Sequence, residues 1–380
     1  MYVAKTALNG ARHERQQKRF QAVRDSLRTL FPVEPTGHLA SRLNTLAGLV
    51  SGIVGSKCLN LPAIAGKVPA CPRDRRTKDQ SRVKRFERWL RNKAVESETF
   101  FLPFAKALLL SLCHVPLVLV IDGSIVGRGC MTLMISLVYK QRGLPIVWTV
   151  AKRRKGHFPE RIHIELMNKV RDLIPEGARV VLLGDGEFDG VDLQALVNQC
   201  QWEYVLRTSK SAKLSWQGEE FRFHDVVAHV SPGDLFEVPN ALFTQREYGP
   251  ILALTWWRND CKEPIHLVTN MVSAEEACGY YRKRFKIETF FSDQKSRGFH
   301  LHKSHLSDPK RLSRLMIATC LAAYWIIYLG VYAMESGLNK VIHRTDRCDL
   351  SLFQLGLRLL DHFLNEGLSI PVAFTPARAG

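Results

Sequence analysis

Four residues, Tyr281, Arg284, Glu288 and Lys295, follow one another at intervals of three, four and seven. At about 100° per residue on a helix they share a stripe of about 60°, so a phenol, a guanidinium, a carboxylate and an ammonium would project side by side. A solvated helix tends to alternate its charges. This face instead sets one carboxylate among donors suited to phosphate, although an i,i+4 pair between Arg284 and Glu288 would account for part of it. Two further carboxylates, Asp122 and Asp185, close the apolar runs LVLVIDGS and RVVLLGDG. Either Asp-Gly alone is an ordinary turn. At the carboxyl ends of buried strands, however, they stand where α/β sheets hold their ligands. Three converging carboxylates repel one another unless a cation sits among them, and an oxygen-only set suits Mg²⁺ or Mn²⁺ better than zinc. Two such ions can activate a water or a hydroxyl and stabilise the leaving oxygen at a phosphorus. Glu187 and Asp189 are alternatives to Asp185, which lies nearest the strand end.

The elements that must position these groups follow from periodicity. After an apolar helix, Phe104–Leu112, the pattern predicts strands over Leu117–Ile121, Met131–Tyr139 and Pro145–Ala151, the first ending at Asp122-Gly123-Ser124. A helix over Glu160–Ile174, a strand over Arg179–Leu183, a helix over Val191–Cys200 and a strand over Glu203–Leu206 complete the order βββαβαβ, an α/β sheet of mixed direction. Upstream lie three expected helices, His13–Phe31, His38–Gly55 and Leu61–Val68. Between Arg73 and Lys93 there are ten Lys/Arg in 21 residues, with Phe86 and Trp89 among them, which reads as a basic face for a phosphate backbone. The net charge is +18, and residues 1–100 hold 20 Lys/Arg against 8 Asp/Glu, or +12 of it, so a polyanionic partner is expected. The nine cysteines form no CxxC pair, which argues against a zinc ribbon, and His157 with His163 completes no tetrahedral set. The first twenty residues lack the apolar core of a signal peptide. Leu315–Met334 carries no charge over 20 residues, long enough to span a bilayer, but its small residues and tyrosines suit a helix buried in protein. No membrane is expected.

In these motifs the chain resembles the DDE transposases of bacterial insertion sequences, in particular the insertion-sequence 4 type. That group's signature, Tyr-x2-Arg-x3-Glu-x6-Lys, matches Tyr281, Arg284, Glu288 and Lys295 at every spacing, with IDGS and LLGDGEFDG at the expected places. The resemblance covers about residues 100–335. It implies an α/β, RNase H-like mixed-sheet catalytic domain, a β-rich insertion, and helical N-terminal and C-terminal regions. The boundaries expected are 1–100 for a DNA-binding region, 101–210 and 271–335 for the two parts of the core, 211–270 for the insertion, and 336–380 for a C-terminal region that helps dimerisation. The resemblance also implies a catalytic triad of Asp122, Asp185 and Glu288 binding two Mg²⁺ ions, for which Mn²⁺ can substitute. Tyr281, Arg284 and Lys295 would grip phosphates. The implied activity is cleavage at the inverted-repeat ends of double-stranded DNA and joining of the freed 3′-hydroxyl to target DNA, through a hairpin, by a homodimer in a synaptic complex. A base flipped from the duplex would stack on a tryptophan of the insertion; Trp216, Trp256 and Trp257 are the candidates. Arg153, Arg154 and Lys155 form a basic loop where a strand could pass the sheet edge. A cytoplasmic, nucleoid-associated protein is expected. The alternatives are a metal-dependent nuclease without strand transfer, and a DNA-binding relative without catalysis.

Overall fold

The computed structural model describes residues 2–69, 79–153, 156–294, 298–345 and 347–374, and of 2–9, 294 and 302 the backbone alone. Its helices begin with α1 (Tyr2–Arg28), α2 (Gly37–Ser56), α3 (Leu61–Ala65) and α4 (Asp79–Arg91), followed by the short α5 (Ser97–Phe100) and α6 (Leu102–Leu112). The apolar positions of α4, namely Phe86, Trp89 and Leu90, are buried, while Lys84, Arg88 and Arg91 lie on the outer face at i, i+4 and i+7. Residues 70–78, with Arg73, Arg75, Arg76 and Lys78, lie outside the described residues.

The sheet is built next. Strands β1 (Leu117–Gly127), β2 (Cys130–Tyr139) and β3 (Arg142–Lys152) form an antiparallel meander. Then come α7 (Glu160–Arg171), β4 (Val180–Gly184), α8 (Val191–Gln199) and β5 (Glu203–Thr208). β1, β4 and β5 run parallel to one another, and their apolar, β-branched runs suit burial on both faces. The first five strands stand in the order β3-β2-β1-β4-β5. That order bears out the expected RNase H-like core.

The strand-rich stretch that follows contains β6 (Lys213–Trp216), β7 (Glu219–Arg222), α9 (Phe223–Val227), β8 (Leu235–Phe243), β9 (Tyr248–Trp256) and β10 (Ile265–Thr269). β10 pairs antiparallel with β5, and the others follow it, so the insertion prolongs the same sheet to ten strands. The chain then returns through α10 (Ala274–Tyr281), a 3₁₀ turn (Arg284–Lys286) and α11 (Ile287–Gln294) to α12 (Pro309–Glu335), α13 (Asn339–Ile342) and α14 (Leu352–Asn365).

α12 contains the long apolar segment, and 89% of its most apolar stretch is buried inside the protein. It packs on β3, α2, α4 and α14. Its start holds α4 in place, with Arg314 donating to the carbonyls of Leu90 at 3.1 Å and Val95 at 3.0 Å. α12 and α14 cross with their backbones in contact, because a Cβ at Gly356 would collide with the Ile326 carbonyl, and one at Gly330 with the Leu352 carbonyl. Gly356→Val should therefore destabilise the protein by about 2–4 kcal/mol, measured by urea unfolding. Unchanged stability would mean that the two helices can part without loss.

Candidate active site

Two differences from the sequence expectations define the site. The first concerns β1, which does not stop at Asp122 but runs on to Gly127, because β2 continues to pair with it: Asp122 lies opposite Met134 and Ser124 opposite Thr132. What stops is its parallel neighbour. The last β1–β4 pair is Val120 with Leu183, and β4 ends at Gly184. Two residues further along, Asp122 and Asp185 fall side by side at the rim, where neighbouring strands are about 4.8 Å apart.

The second difference concerns the helix expected to carry Tyr281, Arg284, Glu288 and Lys295 in one stripe. It is divided. Tyr281 ends α10, Arg284 opens the 3₁₀ turn and Glu288 sits in the first turn of α11. The physical reason is that α10 packs on β4, β5 and β9, whereas α11 packs on β3 and β1. One straight helix does not follow both sets of strands, and the chain tightens to i→i+3 bonds between them, such as Lys286 N–H to the Lys283 carbonyl at 3.0 Å. Lys295 lies outside the described residues, as do Arg154 and Lys155.

At the rim the charges interact. Asp122 has its carboxyl pushed up to about 6, first by burial and then by the negative charge of Asp185, with Glu288 adding to it. The Gly123 N–H, which donates to Asp122 Oδ1 at 2.7 Å, and the Arg284 guanidinium oppose the rise. Arg284 is 7% exposed; its Nη2 stands 4.0 Å from Glu288 Oε1, and its guanidinium lies over the rings of Phe285 at 4.4 Å and Tyr281 at 5.9 Å. Tyr281 is 1% exposed, and burial raises its phenol. Arg284 and Arg207 counter that rise, and Asp185 reinforces it. Asp122, Asp185, Glu288, Tyr281 and Arg284 are thus brought within electrostatic reach of one another.

The neighbours of Asp185 are engaged elsewhere. The Asp185 carboxylate accepts the Glu187 N–H at 3.1 Å, closing the turn after β4. Glu187 accepts the Phe158 N–H at 2.6 Å and pairs with His157 at 3.0 Å. Burial works to raise its carboxyl, but contacts from His163, Phe158 and His157 outweigh this and hold it below the usual range. Asp189 accepts from the Thr208 hydroxyl at 2.6 Å. Arg153 reaches the His157 carbonyl and lies over the Phe158 ring at 5.5 Å, so this basic residue folds back on its own loop.

The tryptophans separate clearly. Trp256 is buried, with the guanidiniums of Arg282 and Arg258 over its ring at 5.0 and 5.5 Å. Trp257 is half-buried and donates to the Cys261 carbonyl at 3.1 Å. Trp216, at the end of β6, is exposed. The sequence reading passed over Arg207: Gly184 pairs with Leu206, so the next residue of β5 stands beside Asp185. Only the strand register shows this.

Among the described residues, no three His, Cys, Asp or Glu side chains are gathered tightly enough to hold one ion as they stand. The donor chemistry of Asp122, Asp185 and Glu288 still fits a hard divalent cation: all three offer oxygens, and such an ion would offset both the burial and the neighbouring negative charge that raise Asp122.

A family model described as "Transposase DDE domain" matches residues 115–326, a span that holds all three carboxylates. The chain belongs to the DDE transposase family. Among solved structures, this transposase is similar to a piggyBac transposase imaged in a synaptic complex with hairpin DNA, at 14% identity and a TM-score of 0.43, over 96% of this chain and 82% of that one. It is also similar to human ENDOV, at 16% identity and a TM-score of 0.24, over 53% of this chain and 81% of that one. Both scores are too low for a shared fold to rest on them. No curated protein matches the chain.

The position of Asp122 carries a penalty that can be measured. A carboxyl raised to about 6 from an unfolded value of 3.8 is disfavoured when ionised; the penalty is complete above about 6 and vanishes towards 4. It amounts to at most about 3 kcal/mol. Asp122→Asn should accordingly raise the thermal midpoint by a few degrees at pH 8, and the gain should fade as the pH falls through 6 towards 4. An equal gain at both ends of that range would assign it to something other than charge.

Proposed function

We propose that this transposase binds the inverted-repeat ends of its element, hydrolyses the phosphodiester at each end and joins the freed 3′-hydroxyl to target DNA. The observation that carries this reading is the meeting of Asp122 and Asp185 in adjacent register, with Glu288 brought to the same rim from a separate half-helix. These three carboxylates would hold two Mg²⁺ ions, or Mn²⁺ in their place, which when bound supply an activated water or hydroxyl and neutralise charge at phosphorus. Arg284, buried beside Asp122 and Glu288, offers a fixed positive charge to a phosphate entering the site. Tyr281 supports Arg284 from below, with the guanidinium over its ring. Lys295 completes the signature, which is the pattern of the insertion-sequence 4 type. A flipped base on the exposed Trp216 and a hairpin intermediate belong to the same reading. So do Arg153, Arg154, Lys155, Trp256 and Trp257 as further DNA contacts, a homodimer in the synaptic complex, and a cytoplasmic, nucleoid-associated location.

The N-terminal helices supply the backbone grip. Lys84, Arg88 and Arg91 project from α4 on one face, while the helix is anchored from behind by Arg314. Neutralising all three to Ala should weaken end binding and reduce the log–log salt slope by about 2–3, one per lost phosphate contact, while single-turnover cleavage at saturating protein stays within about threefold. An unchanged slope would remove α4 from the DNA interface.

Purified protein with end-bearing DNA and Mg²⁺ should yield 3′-hydroxyl cleavage products and joined products on denaturing gels. Asp122→Asn, Asp185→Asn and Glu288→Gln should each abolish cleavage, by at least about 10³-fold, with DNA binding nearly intact. Hydrolysis without joining would favour a nuclease. Full cleavage by any one variant would remove that residue from the triad, and covalently closed ends would report the hairpin.

A further inference from the structure

α11 carries Glu288, yet it does not inherit its direction from α10, because the 3₁₀ turn at Arg284–Lys286 interrupts the helix between them. Its orientation comes from the edge strand β3. At its last turn, Asp293 Oδ2 pairs with Arg142 Nη1 at 2.8 Å, and the two side chains are only 8% and 13% exposed. At its first turn, next to Glu288, the backbone of Ile287 lies directly on Gly143: a Cβ there would stand 3.0 Å from Ile287 Cα and 3.3 Å from the Lys286 carbonyl oxygen. Thr289, whose hydroxyl donates to the Lys286 carbonyl at 2.6 Å, faces the Gly143 N–H at 3.4 Å. Two adjacent residues at the start of β3 therefore touch both ends of the half-helix.

We propose that Arg142 is a positioning residue: through its ion pair with Asp293 it fixes α11 on β3, and so sets where Glu288 stands relative to Asp122 and Asp185. This rests on the reading of those three carboxylates as the metal-binding triad. A nearly buried pair is suited to the task, since a charge-assisted bond of 2.8 Å sheltered from solvent holds one geometry more strongly than an exposed pair does. Gly143 adds a steric stop: the first turn can approach no closer and, with any larger residue, not as close.

The test uses the full chain, with Arg142→Ala, the isosteric Asp293→Asn and the reversed pair Arg142→Asp/Asp293→Arg. Hydrogen exchange of the amides of residues 287–294 reads the fixing of α11 without reference to activity, and Mn²⁺ binding by electron paramagnetic resonance reads the ligand set. In the single variants, exchange in this segment should rise about tenfold while the rest of the sheet is unchanged. Mn²⁺ should bind about tenfold more weakly and cleavage at saturating DNA should fall at least about 30-fold, with DNA affinity within threefold. The reversed pair should recover at least a third of the Mn²⁺ affinity and rate. Wild-type exchange in Asp293→Asn would overturn the proposal. So would a rate that falls only in step with the folded fraction while Mn²⁺ affinity is kept, because that pattern marks a merely structural contact. If the wild-type protein bound no Mn²⁺ and cut no DNA, the triad reading itself would fail, whatever the exchange data showed for α11.

Discussion

Like charge held at the end of a poorly solvated sheet sets the terms for everything around it. Asp122 stands on a strand whose apolar run is buried, and its parallel neighbour is followed directly by another carboxylate, Asp185. Neither can move away, since each is fixed by register: β1 is pinned on its far side by β2, and Asp185 is locked into its turn by the Glu187 N–H. The burial and the repulsion that lift Asp122 are thus built into the backbone rather than into flexible side chains. Opposing it is the guanidinium of Arg284, itself buried and aligned on two aromatic rings. A sequence selected for stability alone would not concentrate charge in this way, which is why perturbed groups of this kind point to chemistry.

Much of the remaining structure keeps that rim rigid. The ten strands form one sheet, so the insertion braces β5 through β10 instead of hanging from a hinge. α12 is apolar on nearly every side because it has protein on nearly every side: β3 on one flank, α14 at the glycine crossing, α2 and α4 beyond. It also transmits position, since Arg314 near its start ties the basic α4 to the same body that holds the sheet. The site and the cationic helix are therefore parts of a single packed unit.

The elements that repeat regularly were legible in the sequence, and those that depend on contact were not. The five core strands and their succession along the chain follow from apolar runs of the right length, and the Tyr-Arg-Glu-Lys spacing singles out Glu288 among the chain's acidic residues. Asp-Gly is a turn signal locally, yet β1 runs past it because the ladder with β2 overrides that signal. The helix over residues 281–295 divides for a related reason. Periodicity places side chains on a cylinder but says nothing about which strands each half must meet. Arg207 and Asp293 were invisible because their partners lie across the fold: the β4–β5 register for the first, and a residue 151 positions away for the second.

The division of that helix bears directly on how the third carboxylate reaches the site. In a continuous helix, Glu288 would be held by whatever holds Tyr281, and any shift of the insertion would move both. With a 3₁₀ turn between them, α10, which Tyr281 ends, packs on β4, β5 and β9, and α11, which carries Glu288, packs on β1 and β3. Arg284 lies in the turn itself, close to both, with its guanidinium over Tyr281 and 4.0 Å from Glu288. One residue then reports on both halves: a displacement of either changes the field at Asp122, because Arg284 and Glu288 act on it with opposite sign. Coupling of this kind needs no long pathway. It follows from placing the break in the helix at the residue whose charge the site depends on.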